Sequence, residues 1–382
     1  MSGWYLIVQY RKEAGLKLVL FADLHLDTPF RWAPPDVARR RRQALRDTLD
    51  AIVELAEEVE ADALCCGGDL YEHDRVAPDT AAVIRTAFAR LERMPVLIAP
   101  GNHDWLGPQS LYALTDWTEN VYVFPEDRLE RYELTSGLSI WGAAHKKPAG
   151  TAGFLDGFEV DSARDDVDLA LFHGSLRSGL PFEEDGKQPH APFDADQIPA
   201  AGLQHALVGH FHTPDDKEWH TYPGNPDPLT FGELGVRAAV VLEIHDDGSV
   251  SRERHVVART EVSDMVVDVA GSASGQDVRG RVEAALDGLS GIVRVTLEGE
   301  VEPDVDVSLI DFEGLGDHLE ALVPRLGRIT VAHDLDAISK ETSVRGQFVQ
   351  DVLAAGLDAE MERRVLITGL RALEGRDDLE VA

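Results

Sequence analysis

Leu18-Val19-Leu20-Phe21-Ala22-Asp23-Leu24-His25 is an unbroken apolar run that ends in an acid and a histidine one residue apart. A short apolar run without alternation suits a strand buried on both faces. The pattern recurs along the chain. Ala63-Leu64-Cys65-Cys66 leads into Gly67-Gly68-Asp69, and Val96-Leu97-Ile98-Ala99 into Gly101-Asn102-His103-Asp104. Leu169-Ala170-Leu171-Phe172 then precedes His173-Gly174, and Ala206-Leu207-Val208 precedes Gly209-His210-Phe211-His212. Between the first two runs, Leu45, Leu49, Ile52, Val53 and Leu55 have helical spacing, and residues 81–91 read the same way. Alternating strands and helices predict a layered α/β domain, in which chemistry gathers at the C-terminal strand ends. The five polar clusters are expected there, on the rim of one sheet.

Outward from this core, residues 1–16 read as an N-terminal extension and 17–258 as the α/β domain, closed by a strand over Val236–Ile244. Residues 259–340 read as a small α+β capping domain. Its strands are expected at Met265–Val269 and Ile292–Leu297 around a helix at Val278–Leu289, followed by a helix near Leu315–Val323 and a strand at Arg328–Ala332. Residues 341–382 carry two amphipathic helices, one with Val344, Phe348, Val349 and Val352, the other with Val365, Leu366, Leu370 and Leu373. The chain has 382 residues, 44% of them hydrophobic and 27% charged, which excludes a mostly disordered polymer. Its net charge of −33 excludes a basic coat for nucleic acid and adhesion to anionic membrane by charge alone. Local basic strips or bound cations can still meet phosphates. The two cysteines, Cys65 and Cys66, are adjacent and cannot staple distant segments. No apolar run is long enough to span a membrane, and a cytoplasmic protein is expected.

Each polar cluster alone has an ordinary reading as a turn or helix start. Together they bring Asp23, His25, Asp69, Asn102, His103, His173, His210 and His212 to one rim. These are imidazole, carboxylate and amide donors with no thiolate, a set for borderline to hard divalent ions rather than a structural zinc site. Their number suits two ions sharing a carboxylate, the arrangement that activates a water and clamps a phosphate for in-line displacement.

The ordered set D-x-H, G-G-D, G-N-H-D, H-G and G-H-x-H resembles the signature of the calcineurin-like metallophosphoesterases, and every element is intact here. The resemblance implies that Asp23, His25 and His212 hold one ion and that Asn102, His173 and His210 hold the other, with Asp69 bridging both. It implies that His103 meets the phosphate and the departing oxygen as an acid, and that Asp104 orients His103. Residues 22–30 and the stretch Tyr222-Pro223-Gly224-Asn225-Pro226-Asp227-Pro228-Leu229-Thr230-Phe231-Gly232-Glu233 resemble the DNA-repair exonucleases of the SbcD and YhaO type. So does Ser343-Val344-Arg345-Gly346-Gln347-Phe348-Val349. That branch implies a Mn²⁺-dependent DNA nuclease, with Fe²⁺, Zn²⁺ and Mg²⁺ as alternative ions. It also implies a homodimer and an SMC-like coiled-coil ATPase partner gripped by the C-terminal helices. Glu72 is a departure: many double-strand-break nucleases have a histidine at that place, and here His73 comes one residue later.

For DNA contacts, the cluster Arg39-Arg40-Arg41-Arg42 is the clearest positive feature, with Lys146-Lys147 second. Trp105 and Trp32 flank metal loops and can stack on bases or pack beneath the loops. His145 and His190 are candidates for outer positions around the ions. Two other functions compete with the nuclease: hydrolysis of a small-molecule phosphodiester, and a non-catalytic scaffold of the same fold. The extra domain and end helices disfavour the first, and the intact ligands and His103 disfavour the second.

Overall fold

The computed structural model describes residues 15–161, 166–179, 189–233, 235–302 and 305–373. Residues 1–14 of the N-terminal extension lie outside them. The chain divides into two compact units with the boundary after Val262.

In the first unit the expected alternation is present: β1 (Leu16–Phe21), α1 (Pro35–Glu58), β2 (Ala63–Cys66), α2 (Thr80–Ala89) and β3 (Val96–Ile98). Next come α3 (Leu111–Leu114), β4 (Val121–Val123), β5 (Glu130–Thr135), β6 (Leu138–Gly142) and β7 (Val167–His173). The unit ends with α4 (Gln197–Ala200), β8 (His205–Gly209), β9 (Asp215–Asp216), β10 (His220–Tyr222), β11 (Ala238–Ile244) and β12 (Val250–Val256).

These strands form two six-stranded sheets, ordered β12-β11-β1-β2-β3-β4 and β5-β6-β7-β8-β10-β9. The five cluster-bearing strands are therefore not in one sheet: β1, β2 and β3 belong to the first, β7 and β8 to the second. Within each group the pairing is parallel, and the donors that follow the five C-terminal ends meet in one place. Leu18, Leu20, Cys65 and Leu97 of the first sheet meet Ile140, Leu169, Leu171 and Leu207 of the second in a shared core. Val19, Phe21, Leu64 and Ile98 face Leu45, Leu49 and Ile52 of α1 and Phe88 of α2. The outer face of the second sheet is covered through Phe172, Val208, Phe193 and Ile198. Every cluster-bearing strand is thus buried on both faces, which is why its sequence is apolar without alternation.

The second unit has β13 (Val262–Asp268), α5 (Gly275–Ala285), β14 (Ile292–Val301) and β15 (Ala321–Val331) in a sheet ordered β13-β14-β15. Val278, Val282 and Leu286 cover it against Val293, Val295 and Leu297. The expected helix near Leu315–Val323 is absent. Turns occupy that stretch and lead into the long strand β15, parallel to β14 with Ile292 opposite Ala321. Gly314 and Gly316 sit at φ of 79° and 70°, and Pro324 cannot donate in a helix interior, so the local chemistry favours turn and edge strand. After α6 (Leu335–Ser339), the helices α7 (Val344–Ala354) and α8 (Ala359–Leu373) pair through Val349, Val352, Leu366 and Leu370. Among the described residues, no helix is long and apolar enough to cross a membrane.

Candidate metal centre

The loops leaving β1 and β2 are zipped together. The backbone N–H of Asp23 donates to Gly68 O, that of His25 to Asp69 O and that of Leu26 to Leu70 O, each at 2.9 Å. This pairing aims Asp23, His25 and Asp69 at one point, and it forces unusual backbone. Asp23, His25, Asp69 and His210 have φ of 56°, 49°, 51° and 110°, where L-residues carry a cost of about 1–3 kcal/mol each. Four such residues in one centre indicate side chains held where function needs them. Gly101 is required for a steric reason: a Cβ there would run into the Asp69 carboxylate.

Three overlapping groups of donors converge: Asp23 with His25 and His212, Asp23 with Asp69 and His173, and His25 with Asp69 and His103. Asp69 Oδ2 lies 3.7 Å from His25 Nε2 and 3.2 Å from His173 Nε2, so one carboxylate oxygen serves both sides. His212 Nε2 stands 4.0 Å from Asp23 Oδ1. On the other side, His173 Nε2 lies 3.0 Å from Asn102 Oδ1 and 3.2 Å from His210 Nδ1. His25 Nε2 is buried without a hydrogen-bond partner, an orphaned donor-acceptor aimed into the cluster. Carboxylate, amide and imidazole atoms converging on two adjoining points fit a pair of divalent ions. The charges of these residues depend on one another. Burial alone would raise Asp69, but His173, His25 and His103 hold it well below the ordinary carboxylate range. Burial opposes charge on His173, yet Asp69 lifts it to about 9.

His103 is the most open of these groups, its side chain 46% exposed. Its backbone N–H donates to Asp69 Oδ1 at 2.7 Å, and its ring meets that of His25 edge-on at 4.8 Å. Asp104 does not orient it. The fully buried Asp104 carboxylate accepts from the backbone N–H groups of Gly101, Asp69 and Leu70, at 2.6, 3.1 and 2.8 Å, and from the Tyr112 hydroxyl. An adjacent residue at this turn points into the core, where the carboxylate ties two loops together; burial and Asp69 raise it to about 6. The partner of His103 is Glu72, whose Oε2 lies 3.1 Å from Nδ1, while Oε1 accepts from His25 Nδ1 at 2.8 Å. The Glu72 bond lifts His103 to about 9. Burial works against the Glu72 charge, but His103 and His25 bring it down to about 2.

Glu233 stands to His212 as Glu72 does to His25, with Oε1 2.7 Å from Nδ1. Neither glutamate has a role assigned by the sequence motifs. Glu72 could have been found as the acid three places after Asp69 in the same loop; Glu233 closes the stretch 222–233 that carries the resemblance, but nothing in that stretch ties it to His212, 21 residues earlier.

Arg41 is not a DNA contact. Its side chain is fully buried, paired with Asp227 at 2.7 Å and bonded to Pro228 O and Thr260 Oγ1. It belongs to the inward stripe of α1, one turn before Leu45. Arg40 is exposed and pairs with Asp36 at 2.9 Å; Arg39 is exposed and Arg42 half-buried. Trp105 lies against the His73 ring at 4.0 Å. Trp32 packs on Phe231 at 4.7 Å and donates to Leu229 O, so it supports a loop from beneath. Lys146 donates to Pro125 O, and Lys147 is exposed. His145 is buried, with Nε2 2.8 Å from His173 O, and backs that strand end; burial pushes it down to about 3. His190 is half-buried, its ring 5.3 Å from that of His210.

Parallel strands from two packed sheets thus deliver the donors of a candidate dinuclear metal centre. The model of the calcineurin-like phosphoesterase family matches residues 16–214, and the chain belongs to that family. Among curated relatives, it is 25% identical over 251 residues to the Bacillus subtilis (strain 168) protein described as uncharacterized metallophosphoesterase YhaO, covering 62% of this chain and 59% of that one. It is 26% identical over 273 residues to the DNA double-strand break repair protein Mre11 of Methanopyrus kandleri, covering 64% and 58%. The Haloferax volcanii protein of the same name is 28% identical over 346 residues, covering 86% of this chain and 70% of that one. The chain thus spans under two thirds of the length of the first two relatives.

Proposed function

We propose that this protein is a divalent-metal-dependent DNA nuclease, with Mn²⁺ as the working ion. Asp23, His25 and His212 would hold the first ion and Asn102, His173 and His210 the second, with Asp69 offered to both. The observation that carries phosphodiester hydrolysis is the placement of a protonatable, half-exposed His103 directly beside the shared carboxylate Asp69. Bound divalent ions supply an activated water and screen the charge on the phosphate. This chain's own residues do the rest. Asp69 and Asp23 fix the spacing of the centre, Glu72 keeps a proton on His103, and His103 delivers it to the leaving oxygen.

DNA as the substrate is supported by the likeness to the two proteins named as double-strand break repair Mre11, one of which extends over 86% of this chain. Arg39, Arg40, Arg42 and Trp105 are the proposed DNA contacts. A homodimer acting with an SMC-like coiled-coil ATPase is proposed on the resemblance of residues 222–233 and 343–349 to the SbcD and YhaO type. The α7–α8 pair is the proposed gripping element, since Val344, Leu353 and Met361 remain exposed on it. Linear duplex DNA and bis(p-nitrophenyl) phosphate, each with Mn²⁺, Mg²⁺ or Zn²⁺, separate the substrate classes. Mn²⁺-dependent degradation of the duplex is expected; turnover of the small ester alone would move the substrate to a small molecule.

A further inference from the structure

His212 is a partly exposed histidine of the centre, its side chain 32% open, so packing alone does not fix its ring. A frame of buried polar groups does. Glu233 Oε1 lies 2.7 Å from His212 Nδ1, and Oε2 accepts from Asn225 Nδ2 at 2.7 Å, Leu229 N at 2.6 Å and Thr230 N at 3.3 Å. Asn225 is fully buried and is held in turn by Arg237, which donates to its Oδ1 at 2.6 Å and to the carbonyl of His212 itself at 2.5 Å. Asp227 anchors the other end of this loop through Arg41, Thr48 and the backbone N–H of Arg259.

An ionised carboxylate only accepts hydrogen bonds. With both oxygens of Glu233 committed to donors, His212 must offer N–H from Nδ1, which in the neutral imidazole leaves the lone pair on Nε2, the atom 4.0 Å from Asp23. The geometry points to Glu233 as the positioning residue of the first ion: it fixes the Nδ1–H tautomer of His212 and aims Nε2 at the point where Asp23 and His25 converge. Carboxylates behind metal-bound imidazoles act in this way and raise metal affinity about 10–100-fold. Glu233 lies beyond the span matched by the family model, which ends at residue 214. The assignment rests on the two-ion reading of the centre.

Calorimetric titration of the metal-free full chain with Mn²⁺ tests it in four proteins: wild type, Glu233→Gln, His212→Ala and the double variant. Wild type is expected to bind two Mn²⁺. Glu233→Gln should weaken one of the two steps about 10–100-fold and leave the other unchanged, with hydrolysis restored at saturating Mn²⁺. In the His212→Ala background the same substitution should add nothing, because its effect passes through the imidazole. Thermal melting of each metal-free variant shows whether the loop frame survives. Two unchanged binding steps in Glu233→Gln would overturn the proposal, as would an equal further loss in the His212→Ala background, which would mark a purely structural role. A wild type that binds no Mn²⁺ would bring down the two-ion reading, and this proposal with it.

Discussion

The carboxylate of Glu72 lies between two imidazoles and binds both, one oxygen on His25 and the other on His103. The bond raises His103 above the ordinary histidine value, to about 9 in the metal-free protein. Bound cations would pull this value down, so the metal-free protein is where it should be read. Titration of the His103 ring by NMR in EDTA is expected to show a midpoint near 9 in wild type. In Glu72→Gln the imidazolium loses its charged acceptor, and the midpoint should fall by about 1 unit or more towards the unperturbed 6.5. An unchanged midpoint would remove Glu72 as the partner of His103. The ligands and His103 were legible in the sequence because each stands directly after an apolar strand run. The partner of His103 was not: Asp104 is its neighbour in the chain, but the turn sends that side chain into the core, and the partner arrives from another loop.

At the scale of elements, α1 shows how a residue's place on a helix outweighs its type. Arg41 stands in a run of four arginines that invites a surface reading, yet it shares the stripe of Leu45 and Leu49 and is buried with Asp227. The helical spacing that located the stripe already contained this placement, at the position one turn before Leu45. Removing one partner of a buried ion pair leaves an uncompensated charge, at a cost of about 3–5 kcal/mol. Arg41→Ala is therefore expected to lower urea stability by that order, while Arg39→Ala on the exposed side should change it by about 0.5 kcal/mol or less. Equal midpoints for the two variants would contradict the buried assignment. The division of five strands between two sheets was hidden for a related reason. A strand buried on both faces looks the same whether its neighbour is a helix or a second sheet, so apolar runs predict burial without naming the covering layer. Near Leu315 the glycines at positive φ and Pro324 carried the turn-and-strand signal, and the apolar spacing around them imitated a helix.

The whole molecule carries a charge of −33, and its metal centre draws together two aspartates, a further carboxylate at Glu72 and five histidines. Cations binding the folded chain and not the unfolded one stabilise it by about 2.7 kcal/mol per site at 100 times the dissociation constant. Mn²⁺ should therefore raise the melting temperature and EDTA reverse the rise, with the gain largely lost in Asp69→Asn, which removes the shared charge. A melting temperature indifferent to Mn²⁺ would speak against a built metal site. In the proposed function this centre cuts DNA with His103 as the proton donor. The most direct test is the rate of degradation of linear duplex DNA with Mn²⁺ by wild type and by His103→Ala, with Mn²⁺ binding measured on both. The expected result is Mn²⁺-dependent cutting by wild type and a loss of about 10²–10⁴-fold in the variant, with two Mn²⁺ still bound. Equal rates in the two proteins, or no cutting of DNA by wild type with any divalent metal while a small phosphodiester is hydrolysed, would contradict it.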